Sequence, residues 1–225
     1  MPALLEPLDE PESSFPFAAL HEVNERCIEL LVHAARSEKT PPFAMVIPLR
    51  DALRESDPAS RRRAALRGFL LVDMGFEQSD WWRMLKHDGA NGLRSERSLG
   101  HFPRRTGVSL ARATLMLAWH SVHADPDAAL AVLGLHREVA AAIGSMQLAD
   151  IDRIADRQFR RVRPRWADRP SIWRAILLSA QIERAALRRD ADFHALQLLA
   201  GDALARGMHR DRRAAHRQAP RAAGL

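Results

Sequence analysis

His120 and His123 are the residues of this 225-residue sequence whose types and spacing come nearest to metal chemistry. Histidines at i and i+3 share one face of a helix, and Asp125 follows as a carboxylate. A third ligand is not evident, and a histidine near a helix C-terminus also meets free carbonyls and the dipole. The pair is read as surface histidines, and neither metal nor cofactor is expected. Cys27 is the only cysteine, so the chain builds neither a disulfide framework nor a thiolate zinc site by itself. It falls on an apolar helical face, where cysteine behaves as a small hydrophobe. The signatures GxGxxG, GxxxxGK[ST], HExxH and GxSxG do not occur. Asp150 and Asp152 are two residues apart and point to different helix faces. No catalytic residue is assigned, and no enzyme is expected; the rival enzyme reading would need a pocket around His120 and His123.

Phosphate neutralisation is the second chemistry within reach. Arg153, Arg157, Arg160, Arg161, Arg163, Arg165 and Arg169 fall within 17 residues, beside Trp166. Such a cluster can follow a polyanion, each contact adding affinity by counterion release. The run from Phe159 to Arg165 holds no acid, whereas solvated helix faces usually alternate in sign. A solvated or partner-facing loop is the competing reading. The net charge of +6 is uneven: residues 1–59 carry 5 basic and 11 acidic residues, 60–150 carry 12 and 9, and 151–225 carry 17 and 8. An acidic front and a basic back point to a polyanion for the C-terminal half. Arginine supplies 32 of the 34 basic residues, a bias of GC-rich coding that explains arginine over lysine but not the gradient.

A third pattern is LAVLGLHREVAAAI, which has the features of a helix-turn-helix core. A helix ends at Leu133, Gly134 permits a sharp turn, Leu135 plugs the space between helices, and Val139 and Ile143 pack the second helix. The spacing from Leu135 to Val139 is one shorter than usual, and a plain helical hairpin is the alternative. Base-reading candidates on the second helix are His136, Arg137 and Glu138, few for a reading helix.

Helices must position these groups. Hydrophobic residues make up 47% of the chain, mostly Ala and Leu, with no Tyr, which predicts an all-α fold. No stretch approaches the roughly 18 apolar residues of a membrane span, and MPALLEPLDEPESS is too acidic and proline-punctuated for a signal peptide. A cytoplasmic setting is the default. Residues 1–17 are expected to be a disordered lead-in, 18–86 an N-terminal helical lobe, 87–107 a linker with four of the eleven glycines, 108–205 a second helical domain, and 206–225 a basic disordered tail. Helices are predicted at 18–36, 45–55, from Asp57-Pro58 to Gly75, at DWWRMLK, at 108–124, 126–133, 135–143 and 148–158, and from Ser171 toward Leu199 or Leu204. The helix ending at Gly75 should bury Ala64, Leu66, Phe69, Leu70 and Met74. Helices 108–124 and 171–199 look more apolar than one small lobe can bury. Leu110, Leu117, Val122, Trp173, Leu177 and Leu187 are therefore expected at a self-association interface. Met74-Gly75-Phe76 and Leu133-Gly134-Leu135 echo each other, a weak hint of duplication.

The run LMLAWHSVHADPDAALAVLGLHREVAAAIGSMQLADIDRIADRQFRRVRPRW, within residues 115–169, resembles FlhD, a subunit of the flagellar transcriptional activator. Matching positions include Leu117, Ala118, Asp125, Ala129, Leu133, Gly134, Glu138, Ala140, Leu148, Ala155 and Arg163, with conservative replacements at Leu135, Val139, Ile143, Met146, Ile151, Ile154 and Trp166. No gap is needed between Leu115 and Trp166. The resemblance implies an all-α subunit that dimerises, joins an FlhC-like partner and binds promoter DNA as a hetero-oligomer. The partner family carries a cysteine zinc site, so a chain with one cysteine is not that partner. Residues 1–107 have no counterpart in the family pattern, which makes this a divergent member with an N-terminal extension, such as the FlhDC-like activators of conjugative elements. The expected function is a DNA-binding transcriptional activator subunit, nucleoid-associated when bound, with Arg137, His136, Arg157, Arg160, Arg161, Arg163, Arg165 and Arg169 on the DNA. The rival is a helical adaptor that does not touch DNA.

Overall fold

The computed structural model describes residues 15–37, 43–92, 100–181, 197 and 201. Among them are nine α-helices: α1 Phe17–Arg36, α2 Arg50–Glu55, α3 Pro58–Ala65, α4 Ser79–Gly92, α5 Arg104–Ala124, α6 Pro126–Leu133, α7 Arg137–Gly144, α8 Leu148–Gln158 and α9 Pro170–Gln181. Strand β1, Val72–Asp73, pairs antiparallel with β2, Arg163–Pro164, in the register Val72 to Pro164 and Asp73 to Arg163. The fold class is all-α, as its composition leads one to expect. Contacts divide the chain into two units, one of residues up to Leu31 with 68–165, the other of residues 32–67 with the chain from Trp166 onward.

In the first unit α5 is the central helix, covered by α6, α7 and α8, while α4 packs on α7 and α8. Local chemistry sets the ends. The Asp125 carboxylate accepts from the Ala128 N–H at 2.9 Å, and Pro126 occupies the first turn, where it needs no N–H partner. Gly134 closes α6 at φ +63°, a left-handed conformation that costs glycine nothing. Phe69, Leu70, Leu71 and Val72 are all completely buried, worth about 1.5–3 kcal/mol each. Asn24 of α1 holds this run by its backbone, donating to the Phe69 carbonyl at 2.9 Å and accepting from the Leu71 N–H at 2.8 Å.

In the second unit α3 packs on α9, and α2 touches α9 beside a 3-10 turn at Ile47–Leu49. Asp57 caps α3, accepting from the Ser60 N–H at 2.9 Å. Arg67 is fully buried and donates to the carbonyls of Ala64 at 3.3 Å and Ile176 at 3.1 Å, and to the Ser179 hydroxyl at 2.9 Å.

Three sequence expectations need correction. The helix expected to reach Gly75 stops at Ala65, and Leu66 is 57% exposed. A helix buries one stripe, so four consecutive buried residues require an extended path instead. The stretch expected to be a linker is helical at both ends, since α4 continues to Gly92 and α5 begins at Arg104, directly after Pro103. Glycine costs a helix about 1 kcal/mol but does not forbid it. The last helix starts at Pro170, with Ser171 inside its first turn. Its expected extension, the 206–225 tail and most of the 1–17 lead-in lie outside the described residues.

Candidate nucleic-acid interface

The arginine cluster divides into two kinds of residue. After α8, a 3-10 turn at Phe159–Arg161 leads into β2, and three arginines of this segment are used inside the first unit. The Arg161 guanidinium lies 4.1 Å from the Trp81 ring centre and also reaches the Gln78 side chain. Arg163 grips the Asp73 carboxylate at 2.8 Å, while the other oxygen of Asp73 accepts from the N–H groups of Gly75 and Phe76 at 2.9 and 3.1 Å. Arg165 donates from its side chain to the Leu133 carbonyl and from its backbone to the Leu71 carbonyl at 2.8 Å. Arg161 and Arg165 are 7% and 8% exposed, and a buried guanidinium needs acceptors of its own. These residues strap together two glycine turns: Arg161 covers Gly75 and Arg165 covers Gly134. Arg161 and Arg165 therefore have little surface to offer phosphates, while Arg163 stays exposed beside Asp73. Arg157, Arg160 and Arg169 are exposed, Arg169 lying 3.7 Å from Asp168.

The α6–Gly134–α7 segment shows the expected plug, with Leu135, Val139 and Ile143 buried. Its second helix is eight residues long and buries Val139, Ala140, Ala142 and Ile143. His136 precedes the helix, its ring Nδ1 accepting from the Glu138 N–H at 3.4 Å while the His136 backbone N–H donates to the Phe76 carbonyl at 3.3 Å. Glu138 is held by Arg83 at 2.7 Å. Of the base-reading candidates, Arg137 is exposed and makes no such contact among the described residues.

Elsewhere arginine is used as a cap for carbonyls. Arg54 donates to Ala35 at 2.8 Å, Arg61 to Ser56 at 2.7 Å, Arg63 to Ala180 at 2.7 Å and Arg174 to Pro48 at 2.7 Å. A fork of five N–H donors suits this role, and it lessens what bulk arginine content says about DNA.

The histidine pair flanks Trp119: His120 meets its ring edge-on with centres 5.0 Å apart, and His123 lies tilted at 4.2 Å, its Nδ1 donating to the Trp119 carbonyl at 2.8 Å. Among the described residues no three His, Cys, Asp or Glu side chains gather as a metal site would require. An open cleft of about 470 Å3 along α1 and α5 is lined by Glu22, Val23, Glu25, Arg26, Glu29 and Ala113, and by neither histidine. Cys27 is fully buried, which pushes its thiol far up from the usual range. Burial and the nearby Arg163 hold His101 below the ordinary histidine value.

The side chains expected at a self-association interface are placed differently. Leu110, Leu117, Trp173 and Leu177 are buried within the single chain, and Val122 is half-buried against Gly144 of α7. Their apolar character is spent on the chain's own core, because α5 is covered on several sides at once. Leu187 lies outside the described residues.

Exposed arginines also occur where the start of α5 meets the end of α8. Arg104 pairs with Asp156 and Arg112 with Asp152, both at 2.7 Å. Phe159 lies so close to Gly107 that a Cβ there would stand 3.0 Å from its ring, and one at Gly100 would stand 3.3 Å from the Arg160 side chain. The contact brings Arg160 beside the segment that opens α5, with Arg104 and Arg105 in its first turn. Reading 87–107 as a linker hid Arg104 and Arg105; the signal was Pro-Arg-Arg ahead of a helical pattern.

Among the described residues no helix is long and apolar enough to cross a membrane. Residues 109–205, less than half of the chain, match the family described as flagellar transcriptional activator (FlhD). No curated protein and no solved structure matches the chain.

Proposed function

Residues 109–205 being FlhD-like, we propose that this chain is a subunit of a DNA-binding transcription activator, assembled with an FlhC-like partner and with a second copy of itself. The family match is the observation that carries this reading: it names a transcriptional activator and not an enzyme. The charge gradient supports contact with a polyanion, and the exposed candidates for phosphate contact are Arg137, Arg157, Arg160, Arg163 and Arg169. The setting is the cytoplasm, with the complex on the nucleoid when bound.

The experiment is to cross-link cells expressing a tagged chain, recover the DNA and sequence it, with and without the co-purifying partner. Discrete enriched promoter fragments that vanish with the partner are the expected result. Recovery of the partner with no enriched fragment would replace this reading by the second one, a helical adaptor. That second reading is favoured by the internal use of Arg161, Arg163 and Arg165.

A further inference from the structure

We propose that Arg104, Arg105, Arg157 and Arg160, at the junction of α5 with α8, form the seat for the DNA phosphate backbone, and that Asp156 competes with phosphate for Arg104. The inference rests on the DNA-binding reading and goes beyond it, since Arg104 and Arg105 precede the family-matched residues.

Four exposed arginines belong to this junction: Arg104 and Arg105 in the first turn of α5, Arg157 in the last turn of α8, and Arg160 just after it. Phe159 against Gly107 and Arg160 against Gly100 fix the end of α8 beside the first turns of α5. Arg153, Arg157 and Arg160 follow one another at spacings of four and three residues, so the basic stripe runs along α8 into the 3-10 turn, with Asp156 next to Arg157. Arg153 on this stripe is held by Asp150. Arg105 is exposed and makes no ion pair with any described residue, while Arg104 is bound to Asp156 at 2.7 Å with both side chains more than half exposed. An exposed ion pair is weak and easily exchanged. A phosphate arriving at Arg105, Arg157 and Arg160 can therefore take Arg104 from Asp156, at the cost of leaving that carboxylate beside the phosphates. Asp156 thus lowers affinity and flattens its salt dependence, while the buried Arg161 and Arg165 behind this junction hold the segment in place.

The test uses the full chain in the assembly that co-purifies with it and a fluorescein-labelled random duplex of about 20 base pairs, titrated between roughly 50 and 200 mM KCl. Arg105→Ala should reduce the log K versus log salt slope by about one. Asp156→Asn should steepen the slope by about one and tighten binding at the lowest salt by up to about tenfold. Asp127→Asn, which removes an exposed acid from α6, should change neither. In an Arg104→Ala background Asp156→Asn should lose most of its effect, which separates exchange of Arg104 from a simple change in net charge. Helical circular dichroism should be unaltered in every variant. Salt-dependent binding by the wild type with unchanged slopes for Arg105→Ala and Asp156→Asn would overturn the seat and leave the DNA reading standing. No binding by the wild type would remove both.

Discussion

Replacing Gly134 by alanine tests the internal role of the arginine segment directly. The residue sits at φ +63°, where a side chain costs about 1–2 kcal/mol. A Cβ there would also stand 2.7 Å from one terminal nitrogen of Arg165, 3.0 Å from the other and 3.1 Å from the guanidinium carbon. The guanidinium is buried and donates to the Leu133 carbonyl, so moving it aside forfeits a charged hydrogen bond worth about 1.5–3 kcal/mol. Together these give a loss of about 3–4 kcal/mol, or roughly 10 °C in Tm for a chain of this size. Urea unfolding followed by tryptophan fluorescence and circular dichroism measures it. In an Arg165→Ala background the alanine should cost only its backbone share, about 1–2 kcal/mol, leaving a coupling of about 2 kcal/mol between the two positions. A cost below about 1 kcal/mol in the wild-type background, or equal costs in both backgrounds, would refute the reasoning.

Trp81→Leu should destabilise the chain by about 1–2 kcal/mol through loss of the cation–π contact with Arg161, and urea midpoints showing less than half of this would deny the contact its weight. Asp57 has its carboxyl lowered from 3.8 to about 2 by the hydrogen bonds from Ser60. A depressed folded-state value means a contribution present above pH ~4 and lost as pH falls toward 2, so the stability gap between wild type and Asp57→Ala should shrink across that window in acid titrations. The Cys27 thiol should resist a disulfide reagent at pH 8 in the native chain and react fully only in denaturant; fast native labelling would contradict its burial.

Elements with local signals were legible. Helix α8 was readable to both ends from Leu148 and Gln158, and Asp125-Pro126 with Gly134 marked the limits of α6. The extended run after Ala65 was not, because Phe69–Val72 is apolar at every position and carries neither period until one knows that both faces are covered. The candidate site was legible as a cluster but not as a division of labour. The acceptors that engage Arg161 and Arg163 are Gln78 and Asp73, 83 and 90 residues away, and spacing within 153–169 contains no trace of them. The coverage of Leu110 and Leu117 by neighbouring helices, likewise, cannot be inferred from the apolar content of α5 alone.

The strap formed by residues 161–165 also has a consequence for synthesis. Phe69–Val72 and the turn at Gly75 are completed by Arg161, Arg163 and Arg165, which the ribosome adds some 90 residues later. At 5–20 residues per second the wait is on the order of 10 s. During that interval β1 has no partner strand, and the run keeps only contacts from earlier residues such as Asn24. The segment thus lacks part of its native contacts until the chain's own late arginines arrive. Slowing translation between residues 76 and 161 should lower the yield of folded protein, whereas slowing it after 165 should spare the first unit.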